Sequence, residues 1–145
     1  MKTSLKFFGV MMMSLIFLNC SGSDRIISPS QLPEAATKFI ETHFNGVKIS
    51  YAKIDDGKYE VRLADGTELD FKRSGEWDKV DCKLSPVPGS ILALIPAGIT
   101  AYVESNFPEA SIVKIDYERR RIDVELDNDL DLEFNLKGEF LRIDD

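Results

Sequence analysis

From Val47 onward the chain alternates apolar and polar residues in short runs separated by turn residues. The runs VKISYAKI (47–54), KYEVRLA (58–64), TELDFKR (67–73) and EWDKV (76–80) predict four strands, because a period of two puts alternate side chains on one face. SIVKIDY (111–117), RIDVELD (121–127), LDLEFNL (130–136) and EFLRI (139–143) predict four more. Ahead of each set the period lengthens to that of a helix. Leu32, Ala35, Ala36, Phe39, Ile40, His43 and Phe44 form one stripe, and Ile91, Leu94, Ile95, Ile99, Tyr102, Val103 and Phe107 form the other. Pro33 and Pro96 interrupt these stripes, so each reads as a short helix, a break and a longer helix. Ser28, with Pro29 and Gln31 behind it, has the pattern of a helix start; Asn45-Gly46 and Pro108 have the pattern of helix stops.

The two halves align without a gap. Pro33 falls on Pro96, an offset of 63, and Thr37, Glu41, Phe44, Val61, Leu69, Phe71, Gly75 and Asp81 then fall on Thr100, Glu104, Phe107, Val124, Leu132, Phe134, Gly138 and Asp144. One register held over so long a run reads as a tandem duplication. The expected fold class is therefore α+β: a tandem repeat in which each unit is a helix-loop-helix packed on a four-stranded antiparallel sheet. The expected organisation is a signal peptide (1–19), a tether (20–27), repeat 1 (28–82) and repeat 2 (83–145).

Register follows from which residues share a face. Tyr59, Val61 and Leu63 meet Leu69 and Phe71 on one side only if a three-residue loop, Ala64-Asp65-Gly66, closes Leu63 against Thr67 with Gly66 left-handed. Asp129 stands where the second copy has no glycine, which predicts mild strain there. The opposite face is polar. In the first copy Arg62 lies across from Glu68 and Glu60 across from Asp70. In the second, Asp123 faces Glu133 and Glu125 faces Asp131, so like charges meet directly. These four carboxylates are the candidate acidic binding face: a solvated surface relieved by Arg119, Arg120, Arg121 and Lys137, a dock for a basic partner, or a weak cation site. Trp77 and Phe140 are candidate aromatic anchors, each with an aliphatic residue three positions on that breaks strict alternation.

Composition changes the picture chiefly at the N-terminus. Lys2 and Lys6 precede an apolar run, Phe7 to Leu18, shorter than the ~20 residues of a membrane span but suited to an export signal. Cys20, followed by Ser-Gly-Ser-Asp, is the candidate lipidation site that would anchor the chain by lipid in the periplasm or cell envelope; a soluble exported protein is the alternative. The net charge of −7 becomes −9 once residues 1–19 are removed, an acidity that argues against nucleic acid. Lipidation of Cys20 would leave Cys82 unpaired.

Catalytic equipment is sparse. His43 is the single histidine, at a helix end beside Phe44, and Cys82 has no pattern around it that would lower its pKa. DNDLDLE lacks the EF-hand glycine at its sixth position, where Leu132 stands. No phosphate loop, HExxH or GxSxG occurs, so no catalytic residue, metal or cofactor is assigned.

The proline-broken helix ending in YVESNFPEASI, the alternating hairpin and the GEF or GEWDKVDC that follows, duplicated behind a lipoprotein-like signal, resemble the PepSY-like, β-lactamase-inhibitor-like proteins. The resemblance implies the same helix-loop-helix on a four-stranded sheet, an extracytoplasmic setting, a link to secreted peptidases and sheet faces that bind protein; it carries no catalytic residues. The expected function is a non-enzymatic binding module for a protein or peptide, a peptidase among the candidates. The alternatives are a small-ligand carrier or enzyme with a pocket between the repeats near Cys82 and Trp77, and a cation-binding envelope protein.

Overall fold

A computed structural model describes residues 24–144. Cys20 and the signal segment lie outside them. The strands are β1 (Arg25–Ile27), β2 (Ile49–Asp55), β3 (Lys58–Leu63), β4 (Glu68–Phe71), β5 (Trp77–Asp81), β6 (Ile112–Tyr117), β7 (Arg121–Leu126), β8 (Asp131–Asn135) and β9 (Phe140–Asp144). The helices are α1 (Glu34–His43), α2 (Gly89–Leu92) and α3 (Ala97–Asn106), with a 3₁₀ turn at Pro29–Gln31. Pro33 and Pro96 stand at the N-caps of α1 and α3, where a missing N–H costs nothing.

The expectation of a tandem repeat, each unit a helix-loop-helix on its own four-stranded sheet, is overturned: among the described residues only the 3₁₀ turn stands in place of a short helix ahead of α1, and there are not two sheets. All nine strands form one open antiparallel sheet in sequential order, β1 to β9. The seam is β5 against β6, with Lys79 opposite Asp116, Val80 opposite Ile115 and Asp81 opposite Lys114. The Cys82 amide continues it, donating to the Val113 carbonyl at 2.9 Å. A four-stranded sheet ending at β5 would leave a row of unpaired backbone groups there, and pairing with β6 removes that edge. Arg25–Ile27, expected within the tether, instead pair with β2 and put Ile27 into the core.

Within each half the register is the expected one. Tyr59 pairs with Phe71 and Val61 with Leu69; Ile122 pairs with Phe134 and Val124 with Leu132. Leu63 donates to the Thr67 carbonyl at 2.9 Å around a loop in which Gly66 has φ +92°. Leu126 does the same to Leu130, with Asp129 at φ +65°. Ile27, Ala52, Val61, Leu69, Val80, Ile115, Val124, Leu132 and Ile143 make one row across the core face of all nine strands. The helices cover this face. Phe39 of α1 meets Phe71 edge-on at 5.7 Å, and Tyr102 of α3 meets Phe134 edge-on at 5.6 Å.

The turns after β4 and β8 are tucked beneath the starts of the two longer helices. A Cβ on Gly75 would stand 2.8 Å from Pro33 Cβ, and one on Gly138 would stand 2.6 Å from Pro96 Cβ. Both glycines also have positive φ, +87° and +84°, so contact and conformation require the same residue.

Candidate functional site

With the helices on one side, the other side of the sheet is an open polar surface. Its central row begins with Ile26 on β1 and crosses Lys53, Glu60, Asp70 and Lys79 on β2 to β5. It continues through Asp116, Asp123, Glu133 and Arg142 on β6 to β9. Antiparallel register alone brings these residues together, because directly opposed side chains share a face.

The two halves of this surface treat charge differently. On the β2 to β5 side the row is balanced, with Lys53 and Lys79 flanking the directly opposed Glu60 and Asp70. Lys53 Nζ lies 2.9 Å from Glu60 and within 3.5 Å of Asp24 and Asp55, which keeps its ammonium protonated well above the usual lysine range. Arg62 hydrogen-bonds Glu68, which Lys83 also reaches at 2.9 Å, and these cations hold the Glu68 carboxyl below its ordinary value. Lys58 donates to the buried Asp78 at 2.6 Å.

On the β6 to β9 side the predicted like-charge pairs form, Asp123 opposite Glu133 and Glu125 opposite Asp131. Arg121 Nε donates to Asp123 at 2.8 Å, and Arg142 grips Glu133 through two bonds of 2.9 Å. Glu133 is buried, and the Arg142 bonds keep its carboxyl below the usual range. Lys114 reaches Glu125 at 3.5 Å, whereas Asp131 is exposed. Of the basic residues expected to relieve this patch, Arg121 does so; Arg142, on the last strand, was not anticipated.

Between the halves, Lys79 is flanked by Asp70 on β4 and Asp116 on β6. Burial pushes the Asp70 carboxyl up to about 6, with Lys79 opposing the shift and Glu60 and Asp116 adding to it. Asp116 is raised for the same first reason. Asp70 was legible in sequence only as the partner of Glu60, and the β5–β6 seam adds Asp116 to its surroundings; Asp116 itself was not singled out.

A depression of about 300 Å³ lies over the β2 to β5 side, floored by Glu60, Asp70 and Lys79. A smaller one, about 160 Å³, lies over Asp116, Asp123, Asp131 and Asp144. Among the described residues no three acidic, histidine or cysteine side chains converge as ligands for a metal ion.

The candidate aromatic anchors lie on the helix side. Trp77 stacks on Phe39 at 5.7 Å and meets Tyr117 edge-on at 5.1 Å; Phe140 stacks on Tyr102 at 4.2 Å. Bulges at Asp70/Phe71 and Glu133/Phe134 are the cause. Each inserts an extra residue, Asp78 or Leu141, so Trp77 and Val80, and likewise Phe140 and Ile143, face the same side although three apart. His43 Nδ1 lies 2.7 Å from Ser90 Oγ and packs on Phe39, tying α1 to α2. Cys82 is buried, and desolvation pushes its thiol up to about 11, far from a nucleophile's range.

A broad, ion-paired sheet face backed by helices defines a scaffold that displays a surface. The chain belongs to the family described as "Putative beta-lactamase-inhibitor-like, PepSY-like", which matches residues 57–142. It is similar to a "putative calcium-regulated periplasmic protein" of Bacteroides thetaiotaomicron, with 36% identity over 84% of this chain and 97% of that one, at a TM-score of 0.75. It is also similar to a "putative periplasmic protein of unknown function" of Bacteroides vulgatus, with 35% identity over 84% and 99% and a TM-score of 0.77. A further "putative periplasmic protein" of that organism shares 33% identity over 85% and 98%, at a TM-score of 0.76. None of the curated proteins matches the chain.

Proposed function

We propose that this protein is a non-enzymatic extracytoplasmic module that holds a protein or peptide against the polar face of its sheet. The observation that carries this reading is the central row of charge, in register across the seam and free of helices on that side. The export-like N-terminal segment and the periplasmic naming of three related structures support the location. Lipid attachment at Cys20 is the form of retention the segment suggests. Acidic residues dominate the β6 to β9 side, so a partner presenting lysine or arginine is the chemical match, and a secreted peptidase is one such partner.

The test is capture from the native envelope with the exported chain. Partner recovery that disappears when Asp123, Glu125, Asp131 and Glu133 are replaced by their amides supports the reading. Recovery that is indifferent to those changes sinks it. Fatty-acid labelling lost in Cys20→Ser tests the anchor.

A second reading is cation binding on the same carboxylates, favoured by the Asp116, Asp123, Asp131 and Asp144 depression and by the calcium-regulated naming of one related structure. Calcium titration calorimetry separates the two. Heat at millimolar metal that vanishes in the four-amide variant would replace the first reading.

A further inference from the structure

The central core-face row is buried on eight strands and open on one. Val80 and Ile115 at the seam are 0% exposed and Ile27 at the far edge 6%, whereas Ile143 on β9 is 41% exposed. Leu141 beside it is 53% exposed. Among the described residues β9 pairs only with β8. At the β1 edge the core-face residue is covered, whereas the β9 edge presents an uncovered one between two charges, Arg142 and Asp144.

The chain itself contains a worked case of how such an edge is covered. At the seam, Lys79-Val80-Asp81 runs antiparallel to Lys114-Ile115-Asp116, so each cation lies opposite an anion and the two aliphatic residues meet. The pattern cation, aliphatic, anion is self-complementary when reversed. Arg142-Ile143-Asp144 is the same pattern a third time, at the positions the internal alignment makes equivalent to Lys79, Val80 and Asp81.

The backbone agrees. Cys82 donates toward β6, so Val80, two residues back, also turns its N–H and C=O toward β6. Ile143 sits opposite Leu132 of β8 as Val80 sits opposite Leu69 of β4. Its N–H and C=O accordingly point out of the sheet.

We propose that a second copy of this chain pairs with β9, the two β9 strands running antiparallel about a two-fold axis at Ile143. Arg142 of each copy then lies across from Asp144 of the other, Ile143 packs on Ile143, and the two sheets become one. The contact is confined to the 5 residues of β9 in each copy, against the roughly 20–30 residues a side of a standing interface, so the dimer forms with rising concentration and weakens with salt.

Sedimentation velocity on the exported chain from residue 21 reads this directly. The wild-type mass doubles as concentration rises. R142D and D144R each set like charges against each other and remain monomeric, an equimolar mixture of the two regains the dimer mass, and the double variant R142D/D144R regains it alone. D144R leaves the Arg142–Glu133 pair in place and carries the test should R142D fail to fold. Hydrogen exchange adds a local readout: the Ile143 amide slows in concentrated wild type and not in D144R. A wild type that stays monomeric at all concentrations, or association unchanged by the charge reversals, overturns the proposal.

Discussion

At the residue scale, two positions are at odds with their surroundings. Asp129 takes the left-handed conformation that Gly66 takes in the matching loop. Asp129→Gly is expected to raise stability by about 0.5 kcal/mol, whereas Gly66→Ala should cost about 1 kcal/mol or more, both read from urea unfolding. Asp70 is ionised against the resistance of its own burial. Its folded value of about 6 lies above that of the unfolded chain, so its contribution is fully present below about pH 4 and is lost as pH rises toward 6. Asp70→Asn should remove this loss and stabilise the protein near neutral pH by on the order of 1 kcal/mol, solvent screening having reduced the full linkage value. Unfolding curves of both proteins at acid and neutral pH check this; parallel pH profiles would count against it.

At the scale of elements, the hairpin turn and the helix start form one packed joint. Gly138→Ala forces a Cβ into Pro96 and keeps an unfavourable φ, and should cost about 2–3 kcal/mol in thermal or urea unfolding. This joint was half legible. The prolines and the Gly-Glu pairs stood out in sequence, but nothing local says that one touches the other. Strand positions and register were legible because alternation and loop parity fix them. The bulges were legible only as broken alternation after Trp77 and Phe140, and their outcome, both aromatic rings turned inward, required the helices. Three-residue β1 has too few positions to show any period. Arg142 was missed because its grip on Glu133 depends on the β8 to β9 register beyond a bulge.

At the scale of the whole molecule, the fold class failed at the seam. A strand reads the same in sequence whether it ends a sheet or lies inside one, so alternation could not distinguish two sheets of four strands from one of nine. The seam makes the halves interdependent, with Val80 and Ile115 in a core that runs through both. Ile115→Ala should cost about 3 kcal/mol and lower a single transition seen equally by Trp77 fluorescence and by far-UV circular dichroism. Two separate transitions would contradict the unity of the core.

Cys82 lies where the seam begins, with its sulfur beside Thr67 and its amide bonded across to Val113. In a chain starting after Cys20 it is the sole thiol. A maleimide or iodoacetamide added to the native protein thus meets a thiol that is buried and held protonated, and reacts when the packing around it opens. The pace of alkylation becomes a built-in clock for local opening where the seam begins, readable by mass without any engineered label.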